Sequence, residues 1–288
     1  MNTDIYTTVT DRIVAALELG VAPWVKPWHT EAEPFPVNAG SRRPYRGINV
    51  LLLAIESMTR GYAGNAWLTY RQATELGAQV RNGEHGTHIV FYKQHEVPNA
   101  EHPDDKAKVV PILRTFTVFN TAQIDNLPAN LTQPAAVQDW EPIEEAERLM
   151  SCTAARIQHG SSKAFYRPDD DCIQLPEPGA FHDRGSYYAT ALHELTHWTG
   201  HPTRCNRQLR NRFGDAAYAV EELVAEIGSA FLCAHCRIDG QLQHPSYIAN
   251  WLEVLKNDKP CIFTAAAKAQ QAADYIHAFG SEAARRTA

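Results

Sequence analysis

The run His193-Glu194-Leu195-Thr196-His197 has the residue types and the spacing of a divalent-metal site. On an α-helix, residues four apart share a face, so the two imidazoles stand about 6 Å apart along the axis and can grip one ion. Glu194 points off that face. It is poorly placed as a ligand but well placed to take a proton from a water at the ion. Ala189, Leu192 and Leu195 supply apolar helix positions, and Gly200 a stop. The five residues alone are not specific, since two histidines on a partly buried helix read the same way.

A catalytic zinc takes three protein ligands and keeps one open position, so a third donor is required. His201 continues the series, but on a straight helix it lies about 12 Å from His193 along the axis. In the HExxHxxGxxH arrangement the third histidine would fall at Thr203, which excludes that class. The segment Glu221-Glu222-Leu223-Val224-Ala225-Glu226 is the better source. Glu222 and Glu226 are spaced i, i+4 and share a helix face. We expect Glu222 as ligand and Glu226 behind it, holding the far ring nitrogen of a ligand histidine. Leu223, Ala225 and Ile227 argue that this helix is largely buried rather than solvated. Cys233-Ala234-His235-Cys236 is a rival cluster, but a single CxxC lacks the second half of a structural zinc site.

The elements that must position these residues are legible from periodicity and punctuation. The spacing predicts helices over 4–19, over a stretch beginning near 48 and closed by Gly61, over 71–76, from 141, and over 186–198, 217–233 and 265–278. Residues 67–70, 88–93, 113–119, 165–166 and 172–176 read as strands or extended segments, the last two flanking the turn Asp169-Asp170-Asp171. Polar and small residues with Pro128 and Pro134 mark 126–140 as a linker. The expected organisation is therefore α+β with two domains, 1–125 and 141–288, each large enough for its own core.

The chain has 288 residues, is 44% hydrophobic and carries a formal net charge of −6, so any nucleic-acid contact must come from a local patch. The N-terminus has no basic-then-apolar leader, and no apolar run is long enough to span a bilayer, so a cytoplasmic protein without membrane partners is expected. The six cysteines suggest no disulfide framework. Between residues 41 and 93, Arg42, Arg43, Arg46, Arg60, Arg71, Arg81 and Lys93 face only Glu56, Glu75 and Glu84, with Tyr45, Tyr62, Trp67, Tyr70, Phe91 and Tyr92 interleaved. Cations that follow a phosphate backbone, with flat rings for bases, are what a single-strand binder needs. A buried aromatic core under a solvated basic face would give the same composition. Trp24 and Trp28 in a proline-rich loop could add stacking surface.

The stretch from Tyr187 to His201, followed by Tyr218-Ala-Val-Glu-Glu-Leu-Val-Ala-Glu226, resembles the metallopeptidase domain of the ArdC family of plasmid antirestriction proteins, as does the strand Asp171-Cys-Ile-Gln-Leu-Pro176. Pro44-Tyr45-Arg46-Gly47-Ile48-Asn49 and Trp67-Leu68-Thr69-Tyr70-Arg71-Gln72 resemble the signature segments of that family's N-terminal domain. The resemblance implies an N-terminal single-stranded-DNA-binding domain, a C-terminal zincin-like domain, and protection of incoming conjugative plasmid DNA from restriction. Together with the basic and aromatic pattern it gives Trp24, Trp28, Arg43, Tyr45, Arg46, Asn49, Trp67, Tyr70, Arg71, Arg81 and Lys93 as the candidate DNA-binding residues, and with the histidine spacing a Zn²⁺ cofactor, with Mn²⁺ or another divalent ion as the alternative. A protein of the host restriction machinery would be the substrate. Other readings are a DNA-occluding binder whose metal site is structural or vestigial, and a primase or conjugation accessory.

Overall fold

The structure is a computed structural model that describes residues 4–24, 35–97, 108–132, 142–207, 216–238 and 245–287. In chain order its elements are α1 (Ile5–Glu18), β1 (Val37–Asn38), α2 (Ile48–Arg60), β2 (Ala66–Thr69), α3 (Tyr70–Glu75), β3 (Gln79–Val80), β4 (Thr87–Val97), β5 (Lys108–Asn120), β6 (Ile124–Asp125) and α4 (Ala129–Thr132). They continue with α5 (Pro142–Cys152), β7 (Arg156–His159), β8 (Phe165–Arg167), β9 (Cys172–Leu175), α6 (Arg184–Thr199), α7 (Ala216–Cys236), α8 (Pro245–Asn257) and α9 (Cys261–Thr287). Strands β1, β3, β6 and β7 and helices α4 and α8 are additions to what periodicity predicts. Of the expected linker, residues up to 132 are described and include α4; the rest lies outside the described residues.

The N-terminal sheet runs β1-β2-β5-β4, with β1 parallel to β2 and the other pairs antiparallel. Ile89 sits opposite Phe116, and Phe91 opposite Arg114. Helix α2 ends at Gly61 in the left-handed conformation, which only glycine adopts cheaply. Helix α3 starts on a capping box formed by Thr69 and Gln72. The C-terminal sheet runs β7-β9-β8, β7 parallel and β8 antiparallel to β9, which leaves β8 at an edge. Its helices α6 and α7 meet where Gly228 faces Thr196. A Cβ at 228 would stand 2.6 Å from the Thr196 methyl, so glycine allows the two helices to approach this closely.

The N-terminal domain keeps two small buried clusters of its own, around Leu68 and around Trp67, but the largest core is shared between the two domains. Val9, Ile13 and Leu17 of α1, with Val50, Leu51 and Leu52 of α2, belong to the same buried apolar cluster as Leu192, Leu195, Leu223, Trp251 and Ile276. The amphipathic faces of α1 and α2 need cover, and the C-terminal helices provide it. Trp24 is 2% exposed and packs edge-to-face on Trp251, ring centroids 5.5 Å apart. The Thr10 hydroxyl donates to the Lys259 carbonyl at 2.6 Å.

The Tyr45-to-Asn49 segment makes the same junction. Arg46 pairs with Asp274 of α9, and the Gly47 amide donates to Gln270 Oε1 at 3.1 Å. Gly47 has φ +56° and ψ −133°, a backbone state reserved for glycine. Asn49 spans the outer edge of β4: its amide nitrogen donates to the Val90 carbonyl and its Oδ1 accepts from the Val90 amide, both at 2.8 Å.

Candidate metal centre

Helix α6 is started by Asp183, whose carboxylate accepts the Ser186 amide at 2.7 Å. Two turns on, His193 and His197 lie with ring centroids 4.9 Å apart. Glu222 of α7 faces both, with His193 Nε2 3.6 Å from its Oε2 and His197 Nε2 3.6 Å from its Oε1. One ligand atom from each of the three residues can be chosen so that all lie within 4.8 Å of one another, the only such group of three or more among the described residues. Donors held tetrahedrally at about 2.1 Å from an ion stand roughly 3.4 Å apart, so the set fits a divalent cation. Two imidazoles and a carboxylate also suit such an ion chemically.

Sequence reasoning missed Glu221. Its Oε1 lies 3.2 Å from His197 Nδ1, the ring nitrogen turned away from Glu222. Arg207 holds Glu221 in turn, its Nε donating to Oε2 at 3.0 Å and its NH2 to Oε1 at 2.9 Å. The same guanidinium donates to the Thr196 carbonyl and the Thr199 hydroxyl on α6. Glu221, Glu222 and Arg207 are all buried. Burial raises the carboxylate pKa values, but the bonds to histidine and arginine outweigh it, and both groups are held below the usual range. Burial opposes charge on His197, while Glu221 and Glu222 push its pKa up more strongly. The signal in the sequence was the doublet Glu221-Glu222, which an i, i+4 reading passes over. The expected supporting carboxylate, Glu226, is 2% exposed and lies one turn further along α7.

Glu194 joins the triad and Glu221 in lining a cavity of about 210 Å³. Tyr218 of α7 and Tyr247 of α8 close one side, their hydroxyls 3.2 Å apart. Burial raises the pKa of both phenols, so they remain hydrogen-bond donors at any physiological pH. Phe165 and Tyr166 of β8, with Ala164 and Pro168, form a further wall. That wall is tied to the end of α6: Arg204 donates to Asp171, the Tyr166 hydroxyl and the Trp198 carbonyl, and lies 4.0 Å over the Trp198 ring. His201 is outside the cavity, bonded to Thr203.

With this geometry in place, the similarities to known proteins are extensive. Residues 3–119 match the N-terminal domain of anti-restriction factor ArdC, and residues 144–268 match the zincin-like metallopeptidases. The uncharacterized protein y4eC of Sinorhizobium fredii is 43% identical over 98% of this chain and 94% of its own. The metal-free crystal structure of the antirestriction ArdC protein from the R388 plasmid superposes with TM-score 0.83 at 39% identity, covering 97% of this chain and 98% of that one. The chain belongs to the ArdC antirestriction family. The Mn(II)-bound structure of the R388 protein gives a TM-score of 0.81, and the DNA primase TraC of Escherichia coli is 41% identical over 94% of this chain, which spans only 27% of TraC. The zincin-like segment implies a divalent metal, and the N-terminal one suggests DNA binding. Among the described residues no helix is long and apolar enough to cross a membrane.

Within the ArdC N-terminal region, several residues expected at DNA have other duties. Trp24 and Trp67 are 2% and 0% exposed, so neither offers a face to a base. Apolar faces of α1, α2 and the sheet need filling, and the indoles fill them. Asn49 is spent on the edge of β4, and Arg46 on Asp274. Tyr45 is partly buried against the Trp67 cluster. Arg71 pairs with Glu75, and Arg81 with Glu84 and Asp125. Arg43 and Tyr70 are exposed. Trp28 and the side chain of Lys93 lie outside the described residues.

Proposed function

We propose that this ArdC-family protein is a metal-dependent peptidase that acts beside single-stranded DNA in the cytoplasm and shields incoming plasmid DNA from restriction. The observation that carries the reading is the convergence of His193, His197 and Glu222 in one cavity with Glu194. Zn²⁺ is the proposed ion, held by those three side chains. The Mn(II)-bound R388 ArdC structure supports Mn²⁺ as an alternative. Such an ion supplies Lewis-acid polarisation of a carbonyl and of water.

The chain's own residues do the rest. Glu194 accepts a proton from the attacking water and hands it to the leaving amine. Tyr218 and Tyr247, kept as phenols, donate hydrogen bonds to charge developing on the carbonyl oxygen. Glu221 fixes the ring of His197, and we assign Glu226 the same duty toward His193. The β8 edge, which pairs on one side only among the described residues, offers an extended peptide a strand to join. A protein of the restriction machinery is the proposed substrate, and the N-terminal region would hold the peptidase near proteins on DNA.

The test is Glu194→Ala, assayed three ways. Metal content should be unchanged, peptide hydrolysis should fall by at least about a hundredfold, and antirestriction should fall with it. If antirestriction persists while hydrolysis is lost, the peptidase does not carry the biology.

A further inference from the structure

The N-terminal sheet exposes two large aromatic rings on neighbouring strands. Phe91 of β4 is 57% exposed and Phe116 of β5 is 45% exposed. Their rings meet edge-to-face with centroids 6.1 Å apart. Both lie on the face whose other end is buried, where Ile89, Val118, Trp67 and Leu53 form a small core. The pleat thus carries an apolar strip out of the core and leaves its last two rings in water. Removing a phenylalanine ring from water is strongly favourable, so an adjacent pair left uncovered marks a contact surface.

The charge around the pair selects the occupant. Arg114 is directly opposite Phe91 in the ladder. It is exposed and, among the described residues, has no carboxylate partner, whereas Arg12, Arg60, Arg71 and Arg81 are each paired with one. Segments 87–93 and 112–118 contain Lys93 and Arg114 and no aspartate or glutamate, in a chain of net charge −6. Flat rings beside an uncompensated guanidinium match bases and phosphates of a single strand better than they match an acidic or apolar protein face.

We infer that Phe91, Phe116 and Arg114 form the stacking platform for single-stranded DNA, the rings taking bases and the guanidinium a phosphate. This rests on the proposed single-strand binding and locates it on the β4–β5 face. The test is fluorescence anisotropy of a labelled oligo-dT with the full-length protein, at two salt concentrations. Phe91→Ala and Phe116→Ala are each expected to weaken binding about tenfold or more. Arg114→Gln should weaken it and reduce the salt slope by about 0.7. All three should melt with the wild type, because the side chains are exposed, and Leu19→Ala just beyond α1, also exposed, should bind as wild type. Phe91→Trp should retain affinity, with its indole fluorescence quenched by the oligonucleotide. Wild-type binding that survives all three substitutions would overturn the platform and leave single-strand binding standing. A wild type that fails to bind oligo-dT would remove the single-strand reading itself. Loss of self-association in the Phe variants with unchanged DNA binding would make the face a contact between copies and overturn the assignment.

Discussion

Glu222 faces two imidazoles while its neighbour Glu221 faces the back of only one, because successive helix residues point about 100° apart. Glu222 meets the Nε2 atoms of His193 and His197, and Glu221 the Nδ1 of His197. Glu221→Gln should therefore keep the triad but lower metal affinity about 10- to 100-fold, since the bond that orients and strengthens His197 is weakened. Competition with a chelator of known affinity measures this, and an unchanged affinity would mean that Glu221 serves Arg207 alone. The grouping of His193, His197 and Glu222 was legible because their spacings are helical periods. Glu221 was not, since its role depends on where α7 crosses α6. Trp24 and Trp67 were misread for a related reason: composition counts aromatic rings but does not say which of them the helices and the sheet bury.

At the scale of elements, the α6–α7 contact sets the distance between the histidines and Glu222. Gly228→Ala would drive a methyl into Thr196 and force the helices apart. A loss of about 1–3 kcal/mol is expected, together with weaker metal binding. The clash is with the Thr196 methyl, so adding Thr196→Ser should restore much of both losses. Urea midpoints of the single and double variants check this, and a double variant no better than Gly228→Ala would place the strain elsewhere. Helices α6 and α7 were visible in the sequence. Strand β7 and helix α8 were not: Arg156–His159 is largely exposed and lacks clean alternation, and the α8 stretch was passed over although Tyr247, Ile248, Trp251, Leu252 and Leu255 recur at helical spacing. With α8 the sequence reading also lost Tyr247, and with it one wall of the cavity.

On the scale of the whole molecule, the ArdC N-terminal and zincin-like segments share a core and an electrostatic seam. His277 of α9 lies tilted against His235, ring centroids 4.2 Å apart, with Glu145, Arg148 and Arg46 around it. Burial and the neighbouring His235 lower its pKa from 6.5 to about 4. Between those values the unfolded chain binds more protons than the folded one, so stability falls as pH drops through that window, by on the order of 3 kcal/mol. His277→Phe should match the wild type near pH 7 and lose less stability by pH 5. Parallel acid profiles for the two proteins would mean that other groups set the acid sensitivity.

The most direct measurement on the central claim is metal binding by calorimetry, with Zn²⁺ and Mn²⁺ titrated separately into the wild type, His193→Ala, Glu222→Ala and Glu194→Ala. One ion per chain is expected for the wild type and for Glu194→Ala, with binding reduced by a hundredfold or more when His193 or Glu222 is removed. Undiminished binding in Glu222→Ala or His193→Ala would contradict the site.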